Sequence, residues 1–282
     1  MTYSHCRVRK SSAHLMEKIG LIAGNRRFPI VFSQSAKKNK YYIVAVAIKG
    51  DTSRSLKKYV DKIYWINLNE FNRLFEIFKS EDITKIVMAG QISPHRLFSK
   101  EVTKNEELKN LLSSIENKKA DTIFGAIAER LKEAGFELID STTFIKDLLP
   151  KKGTLTKREP NFAEWEDIYF GFDLAKEIAY LDIGQTVAVK DKAIVAVEAL
   201  EGTDRLIRRA GEITPGGFAV VKVSKPTQDM RFDIPVVGLN TVKNIIKAKA
   251  SCLAIEAQKT LFLDKEESIL LADKKNVSIV AV

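Results

Sequence analysis

Four short apolar runs between Lys18 and Met88, separated by stretches of helical periodicity, confine the first half of this chain to a parallel α/β sheet. The runs are residues 18–23 (KIGLIA), 41–48 (YYIVAVAI), 62–66 and 85–88. The first is followed by the loop Gly24-Asn25-Arg26-Arg27-Phe28-Pro29, where Pro29 suits the first turn of a helix running towards Lys40. Phe71, Leu74, Phe75 and Phe78 form the apolar stripe of an amphipathic helix. Another loop, Ala89-Gly90-Gln91-Ile92-Ser93-Pro94, follows the fourth run. Residues 121–134 then read as helix and 136–140 as strand.

The periodicity breaks at residues 149–161 (LPKKGTLTKREPN), where two prolines, one glycine and four basic residues argue for a linker. Beyond it, a helix over 162–180 leads to a hairpin of strands around 187–189 and 194–197, turning at Asp191-Lys192. A helix over 204–210, a strand over 218–223, a polar loop over 224–235 and a closing strand from Ser278 follow. The expected organisation is a tail (1–17), a Rossmann-like N-terminal domain (18–148), the linker (149–161) and a C-terminal catalytic α/β domain (162–282), with a cleft between the two domains.

Charge adds a partner class. The net charge is +10, and residues 1–60 carry 13 lysines and arginines against two acids, Glu17 and Asp51. Such an excess suits nucleic acid, a phosphorylated substrate or an anionic membrane face, and equally a merely solvated surface. Basic motifs interleaved with aromatic residues are lacking, so nucleic acid is not the expected partner. The basic start of the chain has no apolar core of a secretory signal, no run of about 18 apolar residues occurs, and Cys6 and Cys252 have no metal or redox spacing, which together predict a cytoplasmic protein.

Several chemistries drop out. The histidines are His5, His14 and His95, too few for a dinuclear metallophosphoesterase. No GxGxxG, P-loop or GxSxG motif is present, and EGTDRLIRRAGEI lacks the acidic core of a Nudix box. What remains is phosphate chemistry. The loop holding Gly24, Asn25 and Arg26 ends a parallel strand and opens a helix, where backbone N–H groups bind anions. Three later stretches stand out: Leu181-Asp182-Ile183-Gly184-Gln185, then Glu198 to Asp204 with its three carboxylates, and residues 222–235 with Lys222, Lys225, Asp229, Arg231 and Asp233. Carboxylates beside cations are what a divalent ion and a pyrophosphate require together. Asp204 is also placed to cap the following helix.

Taken together, GLIAGNRRFP (20–29), AGQIS (89–93), LDIGQTVAV (181–189), VAVEALEGTD (195–204) and KPTQDMRFDIPVVGLNT (225–241) resemble the UDP-2,3-diacylglucosamine pyrophosphatase family of lipid A biosynthesis, long catalogued as a domain of unknown function. The first loop departs from that family's glycine-rich version by carrying Asn25-Arg26-Arg27. The resemblance implies Mg²⁺-dependent attack of water on the α-phosphorus, releasing UMP and 2,3-diacylglucosamine 1-phosphate (lipid X). It places the essential aspartate on Asp233, as metal ligand or water activator, with Asp229 as a weaker metal partner. Lys222, Lys225 and Arg231 are then expected to neutralise phosphate, with Gly24, Asn25, Arg26, Gly90, Gln91, Gln185, Gly202, Thr203 and Asp204 completing the substrate site. A diacylated substrate and the basic first 60 residues point to peripheral attachment on the cytoplasmic face of the inner membrane, and leave room for a homodimer. The alternative is a non-catalytic nucleotide- or lipid-binding protein of the same fold.

Overall fold

The computed structural model describes residues 16–92, Arg96 and residues 120–282. The expected tail up to residue 15, with Cys6, His5 and His14, and the positions Ser93, Pro94 and His95 lie outside the described residues.

The first half forms a five-stranded sheet of β1 (Lys18–Ala23), β2 (Tyr42–Ile48), β3 (Lys62–Ile66), β4 (Lys85–Ala89) and β5 (Glu137–Leu138). The strand order is β3-β2-β1-β4-β5, and every pairing is parallel. Helix α1 (Phe28–Lys38) packs on one face, where Leu21, Ile43 and Phe32 are buried. Helices α2 (Arg73–Ser80) and α3 (Ala120–Glu133) cover the other, around Phe78, Ile86 and Leu131. Burial on both faces is why these strands read as continuous apolar runs rather than alternating ones. Two expectations need adjusting. Phe71 precedes α2, following a short 3₁₀ turn, and the strand expected over 136–140 pairs only at Glu137–Leu138.

The second half forms a mixed six-stranded sheet of β6 (Gly153–Thr154), β7 (Thr186–Lys190), β8 (Ala193–Val197), β9 (Ala219–Lys222), β11 (Cys252–Ile255) and β13 (Ser278–Ala281). Its order is β6-β13-β11-β9-β7-β8. Helix α4 (Phe162–Tyr180) lies across β7 and β9 on one face. Helices α5 (Thr203–Ile213), α6 (Leu239–Lys247) and α7 (Lys265–Lys274) close the other over Phe218, Leu253 and Ile279. The β7–β8 hairpin turns at Asp191 and Lys192, both with positive φ. The buried Asp167 carboxylate accepts both their N–H groups, at 3.1 and 2.7 Å, which holds two non-glycine residues in that conformation.

Residues 149–161 are not a free linker. Within them β6 pairs antiparallel with β13, the amide of Ile279 donates to Thr156 Oγ1 at 2.9 Å, and Arg158 forks onto Glu164 at 2.8 and 3.0 Å. The segment is the edge of the second sheet. The two halves also share apolar packing. Strands β10 (Val236–Val237) and β12 (Leu261–Phe262) pair with each other, and Ile234, Leu261 and Leu263 are buried in the same cluster as Phe28 and Ile30 of α1.

Candidate functional site

In the first sheet the chain passes from β1 to β2 on one side and pairs β1 with β4 on the other, so the strand order reverses between β1 and β4. Ligands of open α/β sheets bind outside the carboxyl ends of the strands at such a switch point. The loops leaving β1 and β4 meet there. The amide of Gly24 donates to the Ala89 carbonyl at 2.8 Å, and that of Asn25 donates to the Gln91 carbonyl at 2.7 Å. A Cβ on Gly24 would lie 2.6 Å from the Gln91 oxygen. One on Gly90, whose φ is +82°, would lie 2.5 Å from the Asn25 oxygen. Both glycines are therefore required by the close approach of two backbones. Arg26, with φ +63°, and Arg27, at the N-cap of α1, stand at the mouth of this crossing.

In the second sheet β8, β9 and β11 end at one edge, because β9 runs parallel to β11 and β7 lies antiparallel between β8 and β9. That edge collects the charged stretches. Lys222, at the end of β9 and nearly buried, donates to Thr203 Oγ1 at 2.9 Å and Thr186 Oγ1 at 3.2 Å, and lies 3.6 Å from Glu198. Thr203 donates to the other Glu198 oxygen at 2.8 Å. Lys225 pairs with Asp182 and, at 3.1 Å, with Asp233. Gln228 donates to the Asp233 carboxylate at 2.7 Å and to its carbonyl, accepts the Lys225 amide at 2.8 Å, and accepts from Gln185 at 3.4 Å. Asp233 is thus gripped from two sides by a lysine and an amide.

Beneath the loop sits a buried charge. Glu256 accepts the Ser224 amide at 2.7 Å, its hydroxyl at 2.8 Å, and pairs with Lys176 at 3.0 Å and Lys259 at 2.9 Å. Burial by itself raises its pKa, but hydrogen bonds from Lys259, Ser224 and Lys176 outweigh that and bring it down to about 2. Lys176 also donates to the Ser224 carbonyl at 2.7 Å, so the base of the loop is fixed at both its N–H and C=O.

One expected role changes, and two other expected site residues pair with each other. Asp204 does not cap its helix: Gly202 is the N-cap, and Asp204 lies within the first turn of α5. It is nearly buried, with one oxygen receiving Asn240 at 2.9 Å and Arg26 at 3.3 Å, and the other without a hydrogen-bond partner among the described residues. Asp229 turns both oxygens to Arg231, at 3.0 and 2.7 Å, and that guanidinium holds it below the usual carboxylate range. An expected metal partner, Asp229, and an expected phosphate contact, Arg231, thus pair with each other. Among the described residues no three His, Cys, Asp or Glu side chains come together as a metal cage. The donors at this edge are nonetheless of the kind a hard cation takes. Asp233 is one, and one buried oxygen each of Glu198 and Asp204 has no hydrogen-bond partner among the described residues.

The contacts Arg26–Asp204 and Arg27–Asp264, at 3.3 and 2.8 Å, bring the switch-point loop of the first sheet against the charged edge of the second. Ser141, just past β5, adds hydrogen bonds to the Met230 carbonyl from its amide at 3.1 Å and its hydroxyl at 2.7 Å. Gly24, Asn25, Arg26, Gly90 and Gln91 therefore gather on one side, and Gln185, Gly202, Thr203, Asp204, Lys222, Lys225 and Asp233 on the other. Sequence reading did not name Gln228 or Glu256 as members, and it singled out the stretches holding Asp182 and Glu198 without giving either a site role. Asp182, with φ +56°, carried a signal in the run LDIGQ, whereas Glu256 gave none, since only the fold brings it under Ser224.

Two family models match the chain: one described as the LpxI N-terminal domain, over residues 18–148, and one as the LpxI C-terminal domain, over 151–280. The chain is 28% identical over 277 residues to a Caulobacter vibrioides protein named UDP-2,3-diacylglucosamine pyrophosphatase LpxI, covering 95% of this chain and 98% of that one. Among solved structures, the biotin carboxylase domain of Hydrogenobacter thermophilus 2-oxoglutarate carboxylase matches 71% of this chain and 41% of its own. At 16% identity and a TM-score of 0.24, that similarity carries no argument.

Proposed function

The chain belongs to the LpxI family, and from that premise we propose that it hydrolyses the pyrophosphate of UDP-2,3-diacylglucosamine to UMP and 2,3-diacylglucosamine 1-phosphate. The observation that carries this reading is the grip of Lys225 and Gln228 on Asp233 at the mouth between the two sheets. Hydrolysis of a phosphoric anhydride needs little covalent help from a protein. It needs neutralised phosphates, an aligned water and a stabilised leaving group.

Each need has a residue. Backbone N–H groups at the start of α1, with Arg26, receive the diphosphate at the switch point. Lys222 and Lys225 stand opposite, held by their carboxylate and hydroxyl partners so that their charge is already in place when substrate arrives. Asp233 orients the attacking water at the α-phosphorus, and the oxygen from water leaves in UMP. Gln185 and Thr203 supply polar contacts at the same edge. Asp233 would hold Mg²⁺, which would supply further charge neutralisation at the diphosphate. The substrate carries two acyl chains and no described helix is long and apolar enough to cross a membrane, so the protein meets the bilayer peripherally, through its basic first 60 residues.

Incubation with UDP-2,3-diacylglucosamine in ¹⁸O-water, with Mg²⁺ or with EDTA, tests the reading. Release of labelled UMP that EDTA abolishes is the expected result. No UMP release refutes the activity, label in the lipid phosphate refutes attack at the α-phosphorus, and full turnover in EDTA removes the metal.

A further inference from the structure

At the carboxyl end of β2 and β3 a cleft of about 550 Å³ is lined by Lys49, Gly50, Thr52, Arg54, Lys57 and Trp65. Three cations meet one indole there, and none of the three has an ion-pair partner among the described residues. Asp51, the acid nearest in sequence, has a fully buried side chain and pairs with Arg96 at 2.8 Å. The geometry is built rather than incidental. Arg54 and Lys57 lie three residues apart on a 3₁₀ turn (Arg54–Lys58), which eclipses their side chains on one face. The amide of Lys49 donates to the Ile66 carbonyl at 2.9 Å, bringing it beside the end of Trp65's own strand. Thr52 is buried, accepts the Ile48 amide at 3.0 Å, and donates to the carbonyl of Ala23, the residue before Gly24. The cleft is thereby tied to the switch-point loop.

A cleft whose cations have no ion-pair partner among the described residues attracts anions. An indole among the cations distinguishes a phosphate carried on a flat ring from a bare phosphate, because any nucleobase offers a face on which to stack. The position agrees with such a ligand. From β3, which carries Trp65, to the midpoint of β1 and β4 is two and a half strand spacings, about 12 Å, on the order of the length of an extended nucleoside diphosphate. We propose that Trp65, Lys49, Arg54 and Lys57 form a nucleoside-phosphate site that holds the pyrimidine end of the substrate while its diphosphate crosses to Gly24 and Arg26. This assignment rests on the hydrolase reading for the identity of the base, but not for the existence of the site.

The test uses the full chain carrying Trp165→Phe, which leaves Trp65 as its one indole. Titration with UMP is expected to change Trp65 emission saturably, while inorganic phosphate at equal concentration does not. Adding Arg54→Ala and Lys57→Ala should weaken UMP binding tenfold or more and raise KM for the lipid substrate in step, with kcat altered less than threefold. Both residues are exposed, so these variants are expected to fold. UMP binding by calorimetry with unchanged emission and unchanged affinity in the double variant overturns the site while leaving the hydrolase reading intact. So does a double variant that loses anionic vesicles but keeps UMP, which would make this a membrane patch. UMP binding that needs Arg54 and Lys57 in an enzyme that releases no UMP from the lipid substrate has the opposite meaning: the site stands and the hydrolase reading falls.

Discussion

The two loops that face each other across the candidate site are fixed by different means. The loop after β1 is laced to the loop after β4 by backbone hydrogen bonds and by two glycines whose missing side chains permit the approach. The loop after β9 is fixed by side chains: Glu256 and Lys176 under Ser224, and Lys225 and Gln228 on Asp233. Backbone lacing fixes the loop without relying on charged side chains, and its end opens α1, where helix N–H groups suit reception of an anion. A side-chain network fixes individual charges, which suits chemistry, and it makes the loop sensitive to pH and to the loss of any one member. The comparison predicts where substitutions should act on rate and where on stability.

The largest effect is expected on the second side. Asp233→Ala should lower kcat by about 10²-fold or more, a barrier change of about 3 kcal/mol, with substrate binding largely retained. Asp233→Asn keeps shape and the hydrogen bond from Gln228 but removes the charge facing Lys225. A well-folded Asp233→Asn enzyme, with an unchanged melting curve and near-normal kcat, would sink the catalytic assignment. On the first side, Gly90→Ala forces a Cβ to within 2.5 Å of the Asn25 oxygen at φ +82°. Urea unfolding should show a loss of about 2 kcal/mol, since neither backbone can retreat without breaking the other loop's bonds. A neutral Gly90→Ala would mean that the two loops are not pinned together.

The pH response sharpens the contrast further. Glu256 titrates at about 2 in the folded protein against an ordinary value near 4.5. Its contribution to stability is therefore present in full above about pH 4.5 and is lost as pH falls towards 2. Glu256→Gln should cost about 1.5 kcal/mol at pH 7, leaving Lys176 without its buried partner, and should flatten the part of the stability profile between pH 4.5 and 2. Equal pH slopes for the two proteins, measured by urea unfolding at pH 7 and pH 3, would show that this charge is not what seats the loop.

The same contrast explains what could be read from the sequence. The parallel sheet was legible because burial on both faces writes uninterrupted apolar runs, and helix α4 because Asn161 and Glu164 form a capping box ahead of its apolar stretch. The crossing of the two loops left a mark in the sequence, because such close backbone approach requires glycine at 24 and 90. Residues 149–161 misled, since prolines and lysines at an edge strand look like those of a linker. The Asp229–Arg231 pair was not read from the sequence, because that spacing suits an ion pair as well as a metal site. Glu256 and Lys176 were illegible: 80 residues separate them, and nothing local marks a carboxylate that will lie under another strand's loop.

The smallest effect is expected where the two sides touch. Arg27 meets Asp264 at 2.8 Å, but the arginine side chain is 61% exposed, so water screens the pair and little stability is at stake. The halves are instead held by apolar packing of Ile234, Leu261 and Leu263 against Phe28 and Ile30, burial that does not depend on charge. Arg27→Ala should therefore change unfolding free energy by less than about 0.5 kcal/mol, and a cycle with Asp264→Asn should give a coupling of similar size that fades in about 0.5 M salt. A coupling several times larger, unaffected by salt, would mean that ion pairs rather than the shared apolar cluster set the seating of the switch-point loop. The backbone-laced side would then depend on side-chain charge as much as its partner does, and the contrast between the two loops would fail.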